Sequence, residues 1–395
     1  MNWLSQTLAV TGVTLRSLSQ RLGSSAVAVV GIAGVVIVFT AVLSIAEGFS
    51  AAMKGTGDPR TVIVLRTGSD TEMTSGFGGE EARLIAEAPG LETGPEGPYA
   101  SPELFVIVGH PLKRSGTDAN VPLRGLTPLA LKVRPTVKIV EGRMFNSGTS
   151  EIVVGKAASG QFAGLTVGSQ VRWGDSSWTV VGIFDAGGSV AESELWCDAK
   201  VLQPAYRRGN SYQSVYARLA SIDSFQQFKD SLTTNPRLQV TVIREPDYYA
   251  QQSQVLQTVI RSIGFAIAAL MALGAIFGAV NTMYSAVASR TREIATLRAL
   301  GFGRSPVVVS VLTEAVLLSI VGGLIGGGLA WLAFDGYQTA TMNWQSFSQV
   351  AFAFAVTPSL LARGMFFAVV MGLLGGLFPA VRAARMPVVT ALREL

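Results

Sequence analysis

Apolar positions along this chain gather into four long runs, one near the start and three in the second half. Between the first and second runs lie 215 mostly water-compatible residues, Glu47 to Arg261. Leu22 to Ala46 holds 25 residues without a charge, Ser262 to Ser289 holds 28, Ala315 to Phe334 holds 20 and Gly364 to Val381 holds 18. Crossing roughly 30 Å of hydrocarbon takes about 20 helical residues at ~1.5 Å each, so every run is a transmembrane candidate. Val356 to Ala362 lengthens the fourth run, which leaves Arg363 near enough to an interface for its stem to snorkel. The first run is longer than a signal-peptide core and no small-residue cleavage site precedes Glu47, so it reads as a retained span. The pattern predicts an α-helical membrane protein with four transmembrane helices in a 1+3 order and a large α+β extracytoplasmic domain between helices 1 and 2.

The long polar segment alternates short β-like runs with Gly, Pro and Asp turns: Thr61 to Leu65, Leu104 to Val108, Val137 to Val140, Glu151 to Val154, Trp178 to Phe184, Val215 to Leu219 and Val240 to Ile243. Helices are predicted at Glu80 to Ala88 and Ile222 to Leu232. The result is an α+β head, expected in two lobes, with Gly68 to Gly79 as a mobile loop. At the start, Leu4, Leu8, Leu15, Leu18 and Leu22 fall near one helical face, as in a helix lying in a membrane interface. The expected layout is an interfacial helix 1–21, first span 22–46, head 47–255, second span 256–289 and cytoplasmic coupling helix 290–305. The third span 306–334, external loop 335–355, fourth span 356–381 and cytoplasmic tail 382–395 follow.

Composition sharpens this picture. Hydrophobic residues make up 49% and charged residues 14% of 395 positions, too apolar for an ordinary soluble protein and too polar for a fully embedded one. The formal charge of +5 could suggest a nucleic-acid partner, but residues 50–255 carry 20 Lys or Arg against 21 Asp or Glu. The excess therefore sits on the membrane part, without a basic stripe interleaved with aromatics, and nucleic-acid binding is excluded. Arg16 and Arg21 precede the first span, Arg290, Arg292, Arg298 and Arg304 follow the second, and Arg382, Arg385 and Arg393 follow the fourth. The positive-inside rule makes these flanks, and both termini, cytoplasmic. The single cysteine, Cys197, allows no internal disulfide and reads as a small core residue.

Within the spans, glycines recur four apart: Gly274 and Gly278, Gly322 and Gly326, Gly323 and Gly327, Gly372 and Gly376. Small residues at this spacing let helix backbones approach closely, so these are read as packing seams. Glu314, costly in bare lipid, is expected to face protein, capping a helix or meeting an arginine. No Gly-x-x-x-x-Gly-Lys-Ser/Thr loop, His-Glu-x-x-His or Gly-x-Ser-x-Gly motif occurs. Unaided ATP hydrolysis, metalloprotease and serine-hydrolase chemistry therefore lack their parts, and neither catalytic nor metal-ligating residues are assigned. His110, between Gly109 and Pro111, reads as a solvated turn residue.

The most informative stretch joins the second and third spans, Ser289 to Pro306. Ile294, Leu297 and Gly301 fall at i, i+3 and i+7, one narrow face of a short helix. Gly301 can end that helix in the left-handed conformation with Phe302 folding back, after which Ser305 would cap and Pro306 open the next helix. A short helix wedged between two spans is stiff, and a push on its exposed face would move both. A solvated arginine-rich loop that merely fixes topology fits the same residues equally well.

Arg292-Glu-Ile-Ala-Thr-Leu-Arg-Ala-Leu-Gly301 resembles the signature of the FtsX-like permease domain of ATP-binding-cassette transporters, the type VII group that includes the MacB-like exporters and the LolC/LolE lipoprotein-releasing subunits. The tail Pro379 to Arg393 is similar to that family's ending. Glu151-Ile-Val-Val-Gly-Lys-Ala, Val167-Gly168 and Trp178 to Phe184 resemble the MacB-type periplasmic core domain. The resemblance implies a permease in the bacterial inner membrane that pairs with a second permease, identical or not, and with separate ATPase subunits, which carry the ATP and Mg while this chain binds no cofactor. A periplasmic adaptor and an outer-membrane component are further expected partners beside membrane lipid. Coupling to the ATPase would run through Arg290, Arg292, Glu293, Ile294, Leu297, Arg298, Leu300 and Gly301. The cargo would be hydrophobic or amphipathic: a lipoprotein, lipid, peptide or drug. The alternative within the same resemblance is a regulatory scaffold controlling a cell-wall hydrolase.

Overall fold

The computed structural model describes residues 3–18, 22–343 and 348–388. In chain order the helices are α1 (Trp3–Leu18), α2 (Leu22–Lys54), α3 (Gly79–Ala86), α4 (Ala130–Val133), α5 (Lys156–Gln161), α6 (Ala199–Ala205), α7 (Ser224–Thr233), α8 (Glu245–Ala288), α9 (Thr291–Ala299), α10 (Arg304–Phe334) and α11 (Pro358–Arg385). Among the described residues α2, α8, α10 and α11 are long and apolar enough to cross a membrane. The chain forms two compact units, a head (Gly48–Gln257 with Gln338–Ala353) and a membrane unit (Met1–Glu47, Thr258–Tyr337 and Phe354–Leu395). Arg21 and Arg393, used above to orient the chain, lie outside the described residues.

The head is built on one ten-stranded mixed sheet. Across it run the strands Val240–Arg244, Thr61–Arg66, Ser214–Arg218, Ala100–Pro111, Asp118–Leu126, Leu195–Asp198, Glu151–Gly155, Ser176–Asp185 and Lys138–Gly142, with Gln170–Trp173 paired to Ser176–Asp185. The expected two lobes are joined by this one sheet, and two of the head's apolar clusters mark them. One gathers Val62, Val64, Val215 and Phe228, the other Leu104, Leu123, Ile152 and Trp178. The pairing Ser214↔Glu103 carries the sheet through from one to the other.

Because side chains alternate across a strand, the residues between these core positions point to the opposite face. There the sheet gathers charge. Arg124 donates from Nε to Glu194 (2.8 Å), from Nη1 to Glu72 (2.7 Å) and Glu103 (3.1 Å), and from Nη2 to Glu72 (3.0 Å) and Glu194 (2.8 Å), using all five of its N–H groups. Arg134 holds Glu103 through two further bonds of 2.6 and 2.8 Å and lies 4.0 Å from the Tyr216 ring centre. Ser214 donates to Glu72 at 2.6 Å and Trp196 to Glu194 at 2.7 Å. All of these groups are buried. Burial works against the Glu72 carboxylate, yet the Arg124 guanidinium and the Ser214 hydroxyl hold it below the ordinary carboxylate range.

Three expectations change here. Gly68 to Gly79 is no featureless mobile loop, because its one-turn helix Glu72–Thr74 delivers the buried Glu72 to Arg124. His110 is not a solvated turn residue: it belongs to the strand Ala100–Pro111, is buried against Trp173, and shares a 2.7 Å hydrogen bond with the Ala163 carbonyl. The segment 335–355 is mostly an antiparallel hairpin, Gln338–Asn343 with Ser348–Ala353. Ala351 N donates to Ser193 Oγ (3.0 Å), Asn343 to Gln252 (3.0 Å), and Phe352 packs edge-on to Phe49, which together make the hairpin part of the head. Cys197 is buried in the core, as expected, and burial raises its thiol pKa well above the usual range.

The membrane unit is held by close backbone approach. A Cβ added at Gly326 would stand 2.6 Å from the Ala33 carbonyl of α2, and one at Gly322 would stand 2.9 Å from that of Val29. On the α11 side, a Cβ at Gly372 would meet Ser319 Oγ at 2.5 Å and one at Gly376 would meet Ala315 Cβ at 2.6 Å. Gly323 faces Met365 and Ala368 at about 3 Å, so α10 touches α2 and α11 through glycine on both sides. Gly274 and Gly278 depart from the expected pattern. Among the described residues nothing stands within 4 Å of a Cβ added at either, because they lie on an exposed face of α8 beside Leu273 and Phe277. The α8 contact is made instead by Gly375, 2.8 Å from Ala279.

Candidate coupling site

The short helix α9 stands between α8 and α10, separated from α8 only by Ser289 and Arg290. Its end follows from local chemistry. Gly301 adopts φ +92°, Phe302 N donates to the Leu297 carbonyl (3.1 Å) and Gly301 N to that of Arg298 (3.1 Å), the paired bonds of a glycine-terminated helix. The next helix starts two residues earlier than Ser305 as a cap predicts. Gly303 is the cap of α10, while Ser305 and Pro306 occupy its first turn, where a proline lacks no needed N–H. Ser305 Oγ is free of capping duty and accepts from Trp3 Nε1 at 3.1 Å.

Of the residues assigned to coupling, Ile294 is buried and Leu297 and Arg298 are half-buried, whereas Arg292, Glu293 and Leu300 are exposed, Leu300 by 73%. Ile294 and Leu297 line a cavity of about 30 Å³ together with Met283, Val287 and Val311. Side-chain ties then hold the segment on three sides. Gln6 Oε1 accepts from Gly303 N (3.2 Å), which joins it to α1, and Arg298 Nη1 donates to the Met386 carbonyl just beyond α11. Arg290 turns inward, away from solvent. Its Nη1 and Nη2 donate to Glu314 of α10 at 2.9 and 3.1 Å, with only 7% and 4% of the two side chains exposed. Sequence reasoning placed Arg290 in the loop and expected Glu314 to meet protein; the signal missed was that each is the other's partner.

Comparison with known proteins follows this division of the chain. Residues 25–235 match the family model of the MacB-like periplasmic core domain, and residues 265–388 match that of the FtsX-like permease C-terminal region. The chain belongs to the MacB-like permease family. Among its relatives, the pyoverdine export ATP-binding/permease protein PvdT of Pseudomonas entomophila is 30% identical over 273 residues, 64% of this chain and 40% of the relative. The macrolide export ATP-binding/permease protein MacB of Nitrosomonas europaea is 24% identical over 389 residues, 92% of this chain and 55% of the relative. This MacB-like permease thus spans about half the length of those relatives or less. Of solved structures, the extracellular domain of the YknZ transporter aligns at 18% identity with a TM-score of 0.36, over 47% of this chain and 100% of that domain. The periplasmic region of MacB from Actinobacillus actinomycetemcomitans aligns at 12% identity with a TM-score of 0.36, over 49% and 93%. It is a permease of the MacB and PvdT type, and its four long apolar helices accord with a multi-pass membrane protein.

Proposed function

We propose that this permease receives mechanical work from separate ATPase subunits at α9 and delivers it to its extracytoplasmic head, which moves or releases a hydrophobic or amphipathic cargo. In this reading the termini and α9 face the cytosol, and a second permease completes the transporter. The supporting observation is the mounting of α9. Ile294 and Leu297 pack its inner side, and ties fix its flanks and last turn, Arg290 to α10, Gly303 to α1 and Arg298 to the end of α11, while Arg292 and Leu300 are left outward. A free helix would rotate under load, and a helix held on three sides passes the load on.

The test is co-expression with a candidate ATPase. A stable complex is expected. Leu300→Asp, on the exposed face, should weaken ATPase binding without altering membrane insertion. Leu297→Asp, which drives a charge toward the apolar cavity, should leave the complex assembled but separate hydrolysis from movement of the head. Full coupling in both variants would remove α9 from the proposal.

A further inference from the structure

Beneath the outward face of α9 lies an unusual ion pair. Arg290 precedes the first residue of α9, and Glu314 sits in the third turn of α10. Their side chains meet fork to fork, which fixes orientation as well as separation, because two parallel N–H···O bonds cannot both be kept if either helix rotates. The third guanidinium nitrogen, Nε, is buried and has no hydrogen-bond partner among the described residues. Buried polar groups are normally paired, so this arginine is only partly satisfied, held by a single carboxylate at the edge of the cavity under Ile294 and Leu297. Met283, Val287, Val307 and Val311 make most of the surroundings apolar, and although Glu293 and Ser310 also line the cavity, the guanidinium is directed to Glu314. The other tether of α9 near this point, Arg298 to Met386, leads to the end of α11, not to α10.

We propose that Arg290 and Glu314 are positioning residues that form a strut, through which displacement of α9 is passed to α10. The proposal deepens the coupling reading above and rests on it. Each acts by fixing where α9 can go relative to the third span. An apolar contact alone would let α9 slide, whereas a bidentate charged fork transmits both push and pull.

The experiment uses the full chain with its ATPase in lipid nanodiscs, and hydrogen exchange read by mass spectrometry with and without ATP, magnesium and vanadate. In the parent, trapping the nucleotide should change exchange in α9 and in the first turns of α10. Glu314→Gln should retain ATPase binding and the change in α9 but lose the change in α10. If Glu314→Gln does not assemble, Glu314→Asp decides the matter: it keeps the charge, shortens the strut by one methylene, and is expected to lose the α10 response likewise. Restoration by Glu alone, and not by Asp, marks geometry and not charge as the requirement. A variant that assembles and responds in both helices like the parent overturns the strut and leaves the coupling reading intact. A parent that shows no nucleotide response in α9 overturns both.

Discussion

Each unit of this permease buries an arginine against glutamate, and the two arginines are completed differently. In the head, Arg124 spends five N–H groups on three carboxylates, and Trp196 and Ser214 satisfy those carboxylates further. In the membrane unit, Arg290 makes two bonds to one carboxylate, and its Nε has no partner among the described residues. A saturated network has one low-energy arrangement, because every alternative breaks bonds that nothing replaces. The membrane pair joins two helices at one fork, so displacement of one is carried to the other. The difference assigns the head's cluster to holding a fixed shape and the membrane pair to a place where motion passes.

The sharpest way to break that contrast is to remove the centre of the head's network. Arg124→Met leaves Glu72 and Glu194 buried without their counter-charge, and removing one partner of a buried pair costs about 3–5 kcal/mol. The expected result is a head that fails to fold or melts far earlier, followed by fluorescence of the buried Trp178 and Trp196 in the full chain. Retention of the parent melting temperature would show that the network is dispensable, and the comparison with Arg290 would lose its basis.

A smaller effect is expected from the glycine seams. Gly326→Val places carbon where the Ala33 carbonyl already stands, 2.6 Å away, forcing α2 and α10 apart at a cost of about 1–3 kcal/mol. Gly278→Val, on the open face of α8, should leave the stability of the single chain unchanged. Detergent-resistance assays on the two variants separate seams inside this chain from a glycine pair that serves no seam within it. Equal losses would mean that Gly278 is packed in the protein as it exists.

What the sequence could reveal follows the range of each interaction. The end of α9 was legible because a glycine stop is set within five residues, and Gly301 needs only its own positive φ and the bonds from Phe302 and Gly301. The four spans were legible because length and apolarity are local counts. The partner of Glu314 was not, since Arg290 lies 24 positions away and only packing brings them together. Glu72 looked like part of a glycine- and serine-rich loop for the same reason: its partner Arg124 is 52 positions on. The strand Asp118–Leu126 escaped notice because Arg124 interrupts its apolar run, and an arginine in a sheet centre makes sense only once three carboxylates surround it. His110 misled through its neighbours, since Gly109 and Pro111 signal a turn where the structure extends a strand.

The mildest test of the comparison is acid. Arg124 and Ser214 hold the folded Glu72 carboxyl below its ordinary value of 4.5, so the folded head binds that proton less readily than the unfolded chain does. Its contribution to stability is therefore fully present above pH 4.5 and is lost as pH falls through the lowered folded value. In thermal melts of the full chain, the head's transition should drop as pH falls from about 4.5 to 3. Glu72→Gln should start from a lower melting temperature, because Gln cannot return the charge that Arg124 needs, and should show a shallower acid slope. An acid slope identical in the variant and the parent would mean that other carboxylates set the head's acid response, and that Glu72 is not the proton-sensitive member of the network.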